Sequence, residues 1–284
     1  MRNEACKGID GDPRTLTSVA TSAVTPRPGT TLESPNGRSG PIAREGWPIV
    51  ASFVGLTAIA AVVGVVFLHP WAGVAVGLVG LVVSAWCLWF FRDPVRPIPQ
   101  ASGVVVSPAD GRVVAVDSMP PPAEARAASE SAGLSTPDSR WMRISVFMNI
   151  FDVHVNRAPV AGVVAAAIHK DGLFVNAALP KASEENERLS LVQRMEGGQA
   201  AISVQIAGLI ARRIICRVKP GADLAKGERF GLIRFGSRVD VFLPAGAVAS
   251  VKPGDRCLAG QTILATLASG QGAFGEEPSL AGRS

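Results

Sequence analysis

Residues 226–244, KGERFGLIRFGSRVDVFLP, contain two strand-like runs with a Gly-Ser pair between them. In the second run, 238–243, polar and apolar residues alternate over 238–241, which is typical of a strand with one buried face. Glycine in strand-like sequence marks a bulge or a close backbone approach, and it leaves its own carbonyl open to a neighbouring side chain. The simplest interpretation of Gly236-Ser237 is a hairpin turn that happens to contain serine.

A long apolar segment dominates the first third of the chain. Residues 47–91 contain no Asp, Glu, Lys or Arg and form two runs of about 20 residues, each long enough to cross a hydrocarbon core of roughly 30 Å, with His69-Pro70 as the turn. Two spans that begin this late do not fit a cleaved signal peptide. The turn contains no Lys or Arg. The basic residues that flank the two spans are Arg38, Arg44, Arg92 and Arg96. This bias predicts an inner-membrane protein with the rest of the chain on the cytoplasmic side.

The sequence predicts four regions. Residues 1–45 lack apolar periodicity and are expected to be a disordered tail. Residues 46–92 form the transmembrane helical hairpin, 93–268 a β-rich domain, and 269–284 a flexible tail. Within the β-rich domain, 118–140 is interpreted as a surface excursion. An echo between VVVSPADGRVVAVD and VASVKPGDRCLAGQTILATL is typical of barrel-sandwich modules, so the predicted fold is mainly β and barrel-sandwich-like.

Composition narrows the range of partners and cofactors. The net charge of +5 suits attraction to anionic lipid headgroups, and no interleaving of aromatic and basic residues indicates nucleic-acid binding. The four cysteines lie far apart without a CxxC pair, so no zinc site is predicted, and a cytoplasmic setting argues against disulfides. No metal is expected.

Three residues could act together on a nearby acyl group: Asp110, His154 and Ser237. A serine hydroxyl becomes a good nucleophile when a base takes its proton, and a histidine oriented by a carboxylate is the usual base. Separately, Asp110 also fits a turn and His154 a structural strand position. No GxSxG elbow is present, which disfavours an ordinary hydrolase. The acyl group nearest to Ser237 is the carbonyl of Gly236, and attack there followed by elimination would leave a pyruvoyl group.

These residues lie in motifs that together resemble one enzyme family. The chain resembles phosphatidylserine decarboxylase proenzymes, in particular their short, archaeal-like form. The similarity covers roughly residues 91–267, nearly all of the β-rich domain, and 226–244 is its most specific part. The other matching motifs are FRDPVRPIP, SPADGRV, DVHVNRAPVAG and GLFVNA with the later NER.

The resemblance implies a precursor that cuts itself between Gly236 and Ser237 into a large chain, 1–236, and a small chain, 237–284. Its cofactor would be a pyruvoyl group derived from Ser237, which in this family forms a Schiff base with the amine of phosphatidylserine and accepts the electrons released with CO₂. His154 is the residue expected to protonate the resulting carbanion.

One departure from the family pattern affects the expected site. Longer members have two histidines three residues apart where this chain has His154 and Arg157. We therefore expect Asp110 and His154 to activate Ser237. Arg157, Asn176 and Lys181 are candidates for contacts with the lipid headgroup.

Two other functions fit parts of the sequence. A membrane-tethered, non-catalytic adaptor of the lipoyl-like barrel-sandwich type fits the echo, but a lipoyl carrier needs a lysine where this chain has Gly236-Ser237. A serine hydrolase could use the same three residues. Both alternatives predict an intact chain. The sequence leaves open whether the protein forms a homo-oligomer.

Overall fold

The computed structural model describes residues 40–134, 141–177, 182–209, 213–234 and 236–267. The helices in these ranges are α1 Gly46–Val63, which a π-helical turn Gly64–Leu68 extends, α2 Pro70–Phe90, α3 Ala123–Ser131 and α4 Ala182–Glu185. The strands are β1 Val104–Val106, β2 Gly111–Ser118, β3 Met142–Met148, β4 Val155–Arg157, β5 Gly162–Lys170, β6 Arg188–Arg194, β7 Ala200–Ile206, β8 Ile214–Cys216, β9 Asp223–Leu224, β10 Arg229–Ile233, β11 Ser237–Leu243, β12 Val248–Ala249, β13 Arg256–Cys257 and β14 Ile263–Thr266.

The strands form one large antiparallel sheet and two small ones. The large sheet has the order β13-β2-β3-β11-β7-β6-β5-β9 and curls into a half-barrel. The small sheets have the orders β1-β14-β12 and β4-β10-β8. The two echo segments lie together, since β1 pairs with β14 and β2 with β13. The prediction of a β-rich domain after two apolar helices is confirmed.

The Gly-Ser pair does not form a hairpin turn. β10 pairs with β4 and β8, whereas β11 pairs with β3 and β7, so the two strands belong to different sheets. Both edges of each strand are therefore occupied by other partners. Gly236 has a φ of +59°, in the left-handed region that favours glycine, and redirects the chain from one sheet to the other. The simplest interpretation of this stretch is wrong for that reason.

The apolar segment forms a helical hairpin. Its two helices, Gly46–Leu68 and Pro70–Phe90, are long and apolar enough to cross a membrane. His69 caps α2, since its Nδ1 accepts a hydrogen bond from the backbone N–H of Trp71 at 3.3 Å. Gly80 lies against the side chain of Thr57, so the two helices approach closely at this point.

The hairpin is joined to the β-rich domain by ordered contacts. The backbone N–H of Ala43 donates to Phe91 O at 2.7 Å, and that of Asp93 donates to Pro41 O at 2.8 Å. These contacts place residues 41–45 against the end of α2, although the sequence assigned them to the disordered tail. Leu232 of β10 packs against Phe91 in a buried cluster on the same side.

Each face of the large sheet carries its own core. One face buries residues such as Val146, Val239 and Val241. The other face buries Phe242 together with Ala125 of α3, so the segment interpreted as a surface excursion contains a helix that covers the sheet.

Candidate active site

Ser237 is the first residue of β11 and lies opposite Met148 of β3. It is fully buried, and within the described residues its Oγ has no hydrogen-bond partner. A buried hydroxyl without a partner costs roughly 1–3 kcal/mol. Ser145, Ser190 and Ser203 share this property, and Ser237 differs from them in its position next to the Gly236 carbonyl. By parity along β11, its side chain points to the same face as Val239.

The carbonyl of Gly236 is held against Gly208. A Cβ added at position 208 would lie 1.7 Å from the Gly236 oxygen and 2.9 Å from its carbonyl carbon. No side chain fits at that distance, so a glycine at position 208 is required for the carbonyl to occupy its place. The peptide bond before Ser237 thus lies in a backbone cradle rather than in an exposed turn.

His154 is buried at the start of β4, and its ring is held on two sides. Nδ1 lies 2.9 Å from the backbone oxygen of Asp152. Because a carbonyl can only accept, Nδ1 carries the proton and Nε2 presents a lone pair. The ring of Phe90, at the end of α2, lies over the imidazole with a centroid separation of 4.2 Å. Nε2 has no partner among the described residues.

The surroundings of His154 keep it neutral. Burial lowers the pKa of His154 to about 4; the hydrogen bond to Asp152 opposes this shift, and the positive charge of Arg92 adds to it. At neutral pH the imidazole is therefore uncharged. It is suited to accept a proton from a hydroxyl, and it can donate that proton only after it has taken it up.

Strand pairing brings His154 and Ser237 into the same region. The backbone N–H of Ile233 donates to His154 O at 3.3 Å, three residues before Gly236. On the other side, Asn156 Nδ2 lies 3.7 Å from the sulfur of Met148, the residue opposite Ser237. The start of β4 and the end of β10 thus lie near the start of β11.

Asp110 is not joined to His154 in the described part of the chain. Its two oxygens accept from the two terminal nitrogens of Arg96 at 2.7 Å each, and Oδ1 also accepts from the backbone N–H of Ala259 at 2.8 Å. This bidentate pair uses the carboxylate fully. The structure therefore does not show the predicted Asp-His-Ser relay, and the group that orients His154 is the backbone carbonyl of Asp152.

Arg157 is buried in a second ion-pair network. Its guanidinium donates to Gly227 O at 3.1 Å and Pro94 O at 3.0 Å, and lies 3.3 Å from Asp93. Arg229 completes the network, with Nε 2.7 Å from the other oxygen of Asp93. This geometry favours a structural role for Arg157 over the predicted contact with a lipid headgroup.

The other two headgroup candidates lie in or near the segment after β5. Asn176 is exposed. The next residue, Ala177, accepts a hydrogen bond through its backbone oxygen from Arg238 at 3.1 Å, so this segment reaches the residue that follows Ser237. Lys181 lies outside the described residues.

Several site residues were missed by sequence reasoning. Gln205 on β7 donates to Asn156 Oδ1 at 2.7 Å, and both side chains are buried. Asn186 donates to Val175 O and Ala207 O and so fastens the segment around Asn176. Gln205 could have been identified as a site residue, because it is a polar residue at an inward position of an otherwise apolar strand. No local sequence feature identified Gly208 or Phe90 as site residues.

A comparison with protein families agrees with this geometry. The family model described as phosphatidylserine decarboxylase matches residues 83–265, more than half of the chain. The match begins inside α2 and ends at β14, so it includes all of the residues discussed above. The chain belongs to the phosphatidylserine decarboxylase family, and it is a carboxy-lyase of phospholipid biosynthesis.

Proposed function

We propose that this chain is the precursor of a membrane-anchored phosphatidylserine decarboxylase that cuts itself between Gly236 and Ser237 and uses a pyruvoyl group made from Ser237. The observation that carries the proposal is the buried Oγ of Ser237, which has no partner among the described residues and lies beside a glycine carbonyl held in a backbone cradle. Phosphatidylserine is the substrate and phosphatidylethanolamine the product.

Self-cleavage follows from the groups at the junction. Ser237 Oγ attacks the carbonyl carbon of Gly236, the C–N bond breaks, and an ester replaces the amide while the serine nitrogen gains a proton. Loss of the Cα proton and cleavage of the Cβ–O bond then release the Gly236 carboxylate and leave dehydroalanine. Its imine tautomer takes up water and loses ammonia, which leaves the pyruvoyl group at position 237.

His154 is the base we assign to the first step. Its ring is neutral, Nδ1–H is fixed on Asp152 O, and Nε2 is the free acceptor within the described residues. A base of this kind takes the proton of Ser237 without first losing one of its own. Asp110 is not needed to orient the ring, and we assign it instead to positioning Arg96.

The residues present fit the pyruvoyl group. Ser237 supplies its atoms, and the start of β11 holds it inside the domain, away from bulk water. When formed, the group serves as an electron sink for the charge released with CO₂. Since Asp152 O and Phe90 fix the ring of His154, the histidine can hold a proton at Nε2 for return to the product.

The two chains would stay together after the cut. β11 belongs to the small chain, 237–284, and is paired along its length with β3 on one side and β7 on the other, both from the large chain, 1–236. Cleavage removes one covalent bond and none of these ladder hydrogen bonds. The proposed mature enzyme is therefore a complex of both fragments.

The location of the site suits a lipid substrate. Phe90, the last residue of α2, contacts His154, so the reacting groups lie at the end of a helix that is apolar enough to span a membrane. The acyl chains can remain in the bilayer while the headgroup enters the domain. With the basic residues at the helix ends, this favours a cytoplasmic catalytic domain.

Mass spectrometry of the purified protein tests the proposal. We expect a fragment of residues 237–284 that carries a pyruvoyl group in place of Ser237, and decarboxylation of phosphatidylserine by the same sample. Ser237→Ala should give one uncut chain without activity. An uncut, folded wild-type chain would contradict the proposal and would return the adaptor and hydrolase alternatives.

A further inference from the structure

Two arginines lie opposite each other at the end of the β10–β8 ladder. Ile233 pairs with Ile214, and at the next position the backbone N–H of Arg234 donates to Arg213 O at 3.4 Å. Opposed residues in an antiparallel pair have Cβ atoms about 4.5–5.5 Å apart and point to the same face. The two guanidinium groups therefore leave the sheet side by side.

This face of the small sheet is turned toward the membrane hairpin. Leu232 and Ile215 are paired with each other, and each lies two residues from one of the arginines on its own strand. Both pack in the cluster with Phe90 and Phe91 at the end of α2. Because side chains alternate along a strand, Arg234 and Arg213 share that face. Both arginines thus lie close to the level at which the helices leave the β-rich domain.

The first helix provides a second reference point for the pair. Glu45, the N-cap residue of α1, forms an ion pair with Arg217, which follows β8. The same carboxylate is close enough to Arg234 to affect its pKa. The arginine pair therefore lies between the start of α1 and the end of α2, at the expected membrane surface.

The pair lacks a counter-ion of its own in the described part of the chain. The carboxylate of Glu45 is taken by Arg217, and the buried Nε of Arg234 has no hydrogen-bond partner there. Burial lowers the pKa of Arg234, the charge of Arg213 lowers it further, and the charge of Glu45 opposes the shift. Like charges directly opposite each other destabilise a sheet, so an anion between them would be stabilising. Guanidinium groups bind phosphate oxygens in a fork geometry.

We propose that Arg213 and Arg234 bind the phosphodiester of the phospholipid substrate and hold its headgroup near position 237, where the pyruvoyl group forms. The inference rests on the proposed function and assigns its substrate-binding residues. Arg234 follows Ile233, whose backbone N–H donates to His154 O at 3.3 Å, so a phosphate bound there lies near the proposed site. The pair takes the role that the sequence had suggested for Arg157, whose guanidinium is already used inside the domain.

Kinetics of the mature enzyme in mixed micelles test the assignment. We expect Arg213→Gln and Arg234→Gln each to raise the KM for phosphatidylserine about tenfold or more, with little change in kcat, because each removes a charge-assisted hydrogen bond to a phosphate. Arg234→Lys should recover part of the loss. The matched control is Arg126→Gln, which removes an exposed arginine from α3 and should leave KM unchanged.

A soluble probe separates the phosphodiester from the charged bilayer surface. Glycerophosphoserine should inhibit the wild type competitively and should inhibit the double Arg→Gln variant at least tenfold less, while inorganic phosphate shows whether the bare anion suffices. Weaker binding of the variant to phosphatidylglycerol vesicles with an unchanged KM would assign the pair to general lipid attraction and overturn the proposal.

The remaining outcomes are also decisive. An unchanged KM in the double variant, or an equal rise in Arg126→Gln, would refute the assignment. Failure of the variants to cut themselves would also count against it, because a lipid-binding residue is not required for maturation. An uncut wild-type chain would instead refute the proposed function itself.

Discussion

Two buried polar clusters of this protein differ in how their polar atoms are satisfied. In the ion-pair cluster, the carboxylates of Asp93 and Asp110 each form ion pairs with buried arginines, with N···O distances of 2.7–3.3 Å. In the cleavage cluster, Ser237 Oγ and His154 Nε2 are equally buried and have no partner among the described residues. Burial of a polar side chain therefore does not by itself indicate a catalytic role. A buried polar atom that has no partner and lies next to a reactive bond is the better indication of one.

The largest expected effect is on the cleavage cluster. His154→Gln removes the neutral base while keeping a polar side chain, and we expect self-cleavage to slow by about 10²–10⁴-fold, the usual contribution of a positioned general base. The fraction of cut chain against time after expression measures this. The matched change at an exposed histidine, His169→Gln, should leave the rate unchanged. Cleavage of both variants at the wild-type rate would remove His154 from the mechanism.

The ion-pair cluster should respond in stability instead. Asp93→Asn leaves Arg157 and Arg229 as buried charges without their carboxylate, and we expect the free energy of unfolding to fall by about 3–5 kcal/mol. Denaturant titration in detergent measures the change, on a Ser237→Ala background so that all chains are uncut. Asp117→Asn is the control, because its half-exposed ion pair with Arg143 should contribute about 0–1 kcal/mol. Equal losses in both variants would contradict the assignment of the buried cluster to stability.

Gly208 tests whether the backbone cradle matters to the cut. Gly208→Ala places a Cβ where the Gly236 oxygen now lies, so the carbonyl must move, and a displacement of about 1 Å can slow a reaction about 10²-fold. Pulse-chase electrophoresis of the precursor measures the rate. Gly77→Ala is the matched control, because a Cβ added at position 77 would have no neighbouring atom within 4 Å. A Gly208→Ala precursor that folds and cuts itself at the normal rate would show that the cradle is incidental.

The smallest effect concerns the contact between the hairpin and His154. Phe90→Leu exposes the imidazole to more water, so the pKa of His154 should rise from about 4 toward its usual range. Since the protonated ring cannot act as the base, the acid limb of the cleavage rate should move to higher pH. The pH profile of cleavage measures the shift, and Phe53→Leu, on the lipid-facing surface of α1, should not change it. Identical acid limbs would mean that Phe90 has no influence on the histidine.

Much of the architecture followed from local sequence. The absence of charge over 47–91 predicted the two apolar helices, and valine-rich and alternating runs predicted the strands. Partners far apart in the chain were not predictable in this way. Nothing in the order of residues indicates that Asp110 pairs with Arg96 rather than with His154, or that β10 and β11 enter different sheets.

The candidate site shows the same division. Ser237 and His154 were proposed from the sequence because their residue types and motifs carry chemistry. Arg157 was proposed to contact the ligand because it is charged, and no feature of the sequence indicated that Asp93 pairs with it inside the domain. Gly208 and Phe90 act through position alone, which only the folded chain reveals.

The junction between the two sheets has a consequence for when the enzyme becomes active. Gly208, which holds the Gly236 carbonyl, lies just after β7, a partner strand of β11, so this contact belongs to the paired sheet. On the proposed mechanism, a nascent or misfolded polypeptide would carry an inert serine, and the reactive ketone would arise only in molecules that have completed assembly. Activation would then serve as an internal proofreading step for biogenesis, without a separate activating enzyme.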